Sequence, residues 1–216
     1  MHVMVRSRNV FRSVFLAIPA MLLLMGNLVP PAYAQNEPTA PPTGTADQVG
    51  VVVNLQPLIG KDNTFGEKMF DMEAQFSMLE EIGVRWVRTG IDWRYLEPVK
   101  GQWNWTPSDQ VVAAAKRFNL NLVWVIDGVP AWAKAPKSRS VLPGDLEDPK
   151  GSLPTFVHAL VDRYQAHIHY WEVGNEPNRS MSSVQYATYL SNAAAGIKAV
   201  DPEAKVLFGG LGGPLL

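Results

Sequence analysis

From Val49 onward, apolar runs alternate with stretches of helical spacing, and their order predicts a repeating strand–helix fold. The run from Val49 to Leu55 suits a strand buried on both faces. Phe65, Met69, Met72, Phe76, Leu79 and Ile82 then recur at intervals of three and four, which predicts a helix over 65–82 that Gly83 ends. A second strand is predicted over 84–91. A helix follows over 106–118, with Thr106 as N-cap and Pro107 at the first helical position. Residues 121–126 form a third strand, and Ser152 and Pro154 open a third helix over 153–165. That helix leads into an aromatic strand that Pro177 ends just after Glu176, because proline removes a ladder donor. Residues 182–200 predict a fourth helix and Lys205 to Phe208 a fifth short strand before Gly209-Gly210.

Strands separated by helices argue for a parallel α/β sheet. Repeat lengths of about 30 to 45 residues suit a barrel with loop insertions, while periodicity by itself also fits an open doubly wound sheet. No Gly-x-Gly-x-x-Gly follows the first strand, so a dinucleotide site is not supported.

The first 49 residues have a different character. Arg6, Arg8 and Arg12 precede an apolar run from Val14 to Met25, and Ala32-Tyr33-Ala34 supplies the small-x-small pattern of a cleavage site, so residues 1–34 read as a signal peptide cut after Ala34. The run is broken by Pro19 and falls short of the about 20 apolar residues of a membrane span. Residues 35–49, rich in Pro, Thr and Ala and without periodicity, read as a flexible leader. The expected destination is secretion, extracellular or periplasmic, with no stable membrane association after cleavage.

Composition narrows the partners. With 47% hydrophobic residues, 18% charged and a net charge of -1, nothing argues electrostatically for nucleic acid or an anionic membrane, and a neutral partner fits best. The absence of cysteine excludes disulfides and thiolate metal sites.

Candidate chemistry concentrates in Trp171 to Asn178, which reads WEVGNEPN. An Asn-Glu-Pro at the exit of an aromatic strand puts a carboxylate where parallel barrels build their active sites, and a carboxylic acid there suits general-acid work beside a hydroxyl-binding amide. Two histidines, His167 and His169, alternate before it, but without a third ligand they read as packing residues rather than a metal site.

In its full context, Trp-Glu-x-x-Asn-Glu-Pro-Asn resembles the strand-four signature of the large clan of retaining glycoside hydrolases with (β/α)8 TIM barrels, in particular its β-xylosidase-like and cellulase/mannanase-like families. The segment from Arg88 to Trp105, RTGIDWRYLEPVKGQWNW, is similar to the clan's strand-two exit, and Asp127 to Trp132 to its Gly-x-Pro-x-Trp turn after strand three. The resemblance implies a barrel, hydrolysis of O-glycosidic bonds by double displacement, and an oligosaccharide, polysaccharide or glycoside as partner. No metal or cofactor is implied. It implies Glu176 as acid/base and Asn175 as the contact to a sugar 2-hydroxyl. Arg88 matches an arginine that supports the nucleophile, or else it pairs with Glu172. Asp127 is a substrate-hydroxyl acceptor or a turn former, Trp132 a sugar subsite candidate, and Asn54, at the end of strand one, a further substrate contact. Glu97 reads as a loop organiser, with Trp103 and Trp105 packed beneath its loop.

Glu172 shares the strand parity of Glu176. Four residues of extended strand would put about 13 Å between them, too far for a retaining pair at roughly 5 to 5.5 Å, so Glu172 is expected to be a buried carboxylate satisfied by an arginine such as Arg88 or by a hydroxyl. In the clan the nucleophile ends strand seven. Residues 50–216 number 167 against about 250 for a complete barrel, so the expectation is a barrel truncated after about five strands and incomplete for activity. The competing reading is a non-catalytic carbohydrate-binding or scaffold protein derived from such a barrel.

Overall fold

A computed structural model describes residues 50–55, 69–137 and 140–213. The expected signal peptide and leader, at 1–49, lie outside them, as does Phe65. Five strands, β1 (Gly50–Val52), β2 (Trp86–Thr89), β3 (Asn121–Ile126), β4 (Tyr170–Val173) and β5 (Lys205–Phe208), form one parallel sheet in the order β1-β2-β3-β4-β5. Among the described residues, four longer helices join them: α1 (Met69–Glu81), α2 (Thr106–Arg117), α3 (Ser152–Tyr164) and α4 (Ser183–Val200).

The strand order resolves the ambiguity that periodicity left. A doubly wound sheet reverses its order at a switch point, whereas right-handed crossovers between successive neighbours set every helix on the same face. This sheet never reverses, which is the winding of a (β/α)8 barrel. Side-chain parity agrees: Val87, Leu122, Trp124, Ile126, Trp171 and Val173 are buried on the helix side, while Arg88 and Glu172 meet on the opposite face. Trp93 stacks on Phe156 at 4.5 Å and Trp103 on Trp105 at 4.7 Å, so the aromatics beyond β2 extend the core.

Several boundaries differ from expectation. The first strand is shorter and not buried on both faces: Val52, in register with Arg88 on the face away from the helices, is 64% exposed. Thr106 is the first helical residue of α2 rather than its N-cap, since Trp105 already has right-handed helical dihedrals. At α4, Ser182 does cap, and its side chain and that of Gln185 satisfy each other's backbone N–H groups. A helical turn at Trp93–Leu96 and 3-10 turns at Ala131–Ala133 and Pro177–Arg179 lacked the periodicity to be foreseen. The strand before Glu176 ends at Val173, because Gly174 takes φ 78° and turns the chain out of the sheet.

Candidate active site

Parallel strands deliver their C-terminal ends to one rim, and the candidate residues gather there. Arg88 reaches over β3 to Glu172, donating from Nε to Oε2 at 2.6 Å and from Nη2 to Oε1 at 2.7 Å. Its Nη2 also donates to Asn175 Oδ1 at 2.9 Å. A guanidinium only donates, so the Asn175 oxygen must face it, which leaves the amide NH2 as the end available to a ligand. Glu172 receives a third bond from Gly210 N–H at 2.9 Å. Burial acts to raise the Glu172 carboxyl, but the hydrogen bonds from Arg88 and Gly210 together with the Arg88 charge hold it below its ordinary value.

A cavity of about 320 Å³ opens beside this pair, lined by Asn54, Arg88, Asp92, Asp127 and Asn175 among others. Four of the six expected site residues thus share one hollow, although they come from four different strand exits. Asp127 also makes the turn: its Oδ1 accepts from Gly128 N–H at 2.8 Å. Burial and the neighbouring Asp92 charge raise its carboxyl above the ordinary range, opposed by the Gly128 bond and by Arg94 and Arg88. Asp92 escaped the sequence reading, although it directly precedes Trp93 in the strand-two segment. Its carboxylate pairs with Arg94 and lies against Gly128, where any Cβ would fall 2.5 Å from Asp92 Cγ.

Glu176 sits beside Asn175 in a left-handed conformation, φ 47°, with its N–H on Gly210 O at 2.8 Å. Its half-exposed carboxylate forms an ion pair with Arg179, Oε2 lying 2.7 Å from Nε. The strand parity shared with Glu172 therefore does not apply, because the chain leaves the sheet two residues earlier. The separation drawn from extended geometry falls with it.

Trp132 does not line the cavity. Its Nε1 donates to Glu97 O at 2.8 Å and its ring meets Trp93 edge-on at 5.6 Å, which ties the strand-three turn to the strand-two loop. Glu97 organises that loop, accepting from Trp93 Nε1 and from Gly101 N–H, both at 2.8 Å. The histidines are not packed on the Glu176 strand. His167 lies in a turn 3.2 Å from Lys116 Nζ, and exposed His169 is 3.6 Å from Asp201, because β4 begins only at Tyr170. Among the described residues, no three His, Asp or Glu side chains form a metal-binding group.

A sheet wound in one direction, with its candidate residues gathered at the strand exits, has the layout by which TIM-barrel enzymes build their active sites. Comparison with known proteins is more specific: the profile of glycosyl hydrolase family 10 matches residues 74–207, well over half of the chain, and the chain belongs to that family. An endo-1,4-beta-xylanase A from Fusarium oxysporum f. sp. lycopersici is 30% identical over 102 residues, covering 44% of this chain and 29% of its own length. Among solved structures, a family 39 glycoside hydrolase from Bacteroides cellulosilyticus WH2 superposes with TM-score 0.59 at 23% identity, over 74% of this chain and 31% of that one. An exo-beta-1,4-mannosidase from Opitutaceae bacterium strain TAV5 gives TM-score 0.55 at 17% identity, over 78% and 35%. The chain thus spans about a third of the length of these relatives.

Proposed function

We propose that residues 50–213 form the acid/base side of a retaining glycoside hydrolase that cleaves O-glycosidic bonds in a β-linked polysaccharide, with xylan the first substrate to test because of the xylanase relative. The observation that carries this reading is the placement of Asn175 and Glu176 side by side at the exit of β4, with Asn175 fixed by Arg88 on the rim of the cavity. In this mechanism Glu176 protonates the departing glycosidic oxygen, a second carboxylate about 5 to 5.5 Å away attacks the anomeric carbon, and Glu176 then serves as base for water. Asn175 donates its amide N–H to the sugar 2-hydroxyl, while Asp127 and Asn54 accept or donate to hydroxyls further along the cavity. The attacking carboxylate belongs to a seventh strand, which is not among the five described. The proposed product is exported by the N-terminal segment and begins at Gln35.

The test is a leaving-group series on aryl β-xylosides, measured on the whole barrel that contains these residues. Glu176→Ala should lower kcat/KM for substrates with poor leaving groups by 10²-fold or more, in the range of general acid catalysis, and barely lower kcat/KM for activated ones, whose kcat falls instead because the base for water is lost. Equal slowing across the series would remove Glu176 from the role.

A further inference from the structure

Beyond β5 the chain reads Gly209-Gly210-Leu211-Gly212, and its three glycines are bonded to the end of β4, the turn that carries Glu176 and the helix that follows. Gly209 N–H donates to the Tyr186 hydroxyl at 2.7 Å, and that hydroxyl donates to Val173 O at 2.8 Å, which pins the end of β4. Gly210 O receives the Glu176 N–H at 2.8 Å. Gly212 and Asn178 bond reciprocally, Gly212 N–H to Asn178 Oδ1 at 2.8 Å and Asn178 Nδ2 to Gly212 O at 3.1 Å. This docking brings the Gly212 backbone against the Glu176–Arg179 ion pair. A Cβ at Gly212 would lie 2.4 Å from Arg179 Nε and 3.1 Å from Glu176 Cδ.

From this arrangement we infer that Arg179 is a positioning residue for Glu176, held against its carboxylate by the backbone of Gly212. The inference rests on the acid/base reading of Glu176 for its catalytic meaning. Its structural content stands separately. An i,i+3 ion pair in water constrains little, because both side chains are mobile and screened. Here the strand-five exit closes one side of the pair, which restricts the rotamers Arg179 can take. The carboxylate is thereby presented at one place next to Asn175.

The experiment is carbodiimide labelling of the full chain with glycine ethyl ester, read at Glu176 by peptide mass spectrometry and normalised to exposed Glu203. Arg179→Ala should raise labelling of Glu176 about three- to five-fold, the factor expected for an ion pair at the upper end of the partly exposed range. Arg179→Lys should restore much of the protection. Gly212→Ala should mimic Arg179→Ala, since the arginine tip is what gives way. Gly213→Ala, where a Cβ meets nothing within 4 Å, should change nothing. Unchanged labelling in Arg179→Ala, or equal effects of Gly212→Ala and Gly213→Ala, overturns the inference. In turnover by the whole barrel, Arg179→Ala should penalise poor leaving groups about ten-fold more than activated ones. If Glu176→Ala shows that split and Arg179→Ala does not, the positioning role is lost. If Glu176→Ala shows no split, the acid/base reading fails while labelling still decides the hold of Arg179.

Discussion

Arg88 and Glu172 form a bidentate ion pair across an intervening strand, with Arg88 in register with Val123 and Glu172 with Val125. The two valines are short enough to let the pair bridge over them. Glu172 is 7% exposed and Arg88 28%, so water screens the pair only in part. Removing one partner leaves the other half-buried and unpaired, which is the costly direction. Glu172→Gln should destabilise the chain by about 1–3 kcal/mol in urea unfolding.

The same pair sets the acid response. A carboxyl held below its unfolded value of about 4.3 contributes stability that is whole above that pH and disappears as pH falls toward the folded value. The unsubstituted chain should therefore lose stability below about pH 4.3 more steeply than Glu172→Gln, as read from thermal midpoints across a pH series. Parallel curves would show that the pair contributes nothing.

Asp127 carries the opposite sign. Burial raises its carboxyl, so folding binds the proton, and stability declines as pH rises from about 3.9 through the folded value. Asp127→Asn should be neutral or stabilising at pH 7 and should flatten that decline. Under the function proposed above, it should also weaken binding of xylo-oligosaccharides by the whole barrel in calorimetry, a trade of function for stability. Loss of stability at neutral pH would show that the charged form is the one the fold needs.

Glu97 is buried, and each of its carboxylate oxygens accepts a different donor. A glutamine can accept at only one of them, so Glu97→Gln should cost about 1–2 kcal/mol. The loss should be local. Faster amide exchange at Gly101 and through the 97–105 loop, with β4 unaffected, is the expected pattern; uniform loosening would argue against the loop-organising role.

Among the described residues β5 pairs with β4 alone, and Phe208 and Leu211 are largely exposed beside a cavity of about 350 Å³ lined by Pro177, Met181, Tyr186 and Leu190. An apolar strand edge of this kind invites association. Residues 35–216 should be oligomeric or poorly soluble in sedimentation velocity, and Phe208→Lys should shift the distribution toward monomer. A monodisperse unsubstituted monomer would show that this edge is covered.

The amino-acid sequence by itself determined the order of elements and the chemistry at the strand exits. Residues 121–126 and 205–208 have the same limits in the structure as in the apolar pattern, because short runs bounded by polar and glycine positions leave little choice of register. The Arg88–Glu172 pairing was legible as one of two alternatives for each residue, since a buried carboxylate and an inward arginine each need a partner, and the fold chose it. Tertiary structure alone decided the winding, because an α/β repeat is the same string of residues whether its sheet reverses or not. It also decided the path through Asn175 and Glu176: the sequence pattern extends the strand to Pro177, whereas Gly174 at positive φ ends it at Val173 and hands the turn to Gly210, Gly212 and Arg179. The bonds made by Gly210 and Gly212 join residues more than thirty positions apart. Local propensity carries no information about such a contact until the sheet brings β4 and β5 together.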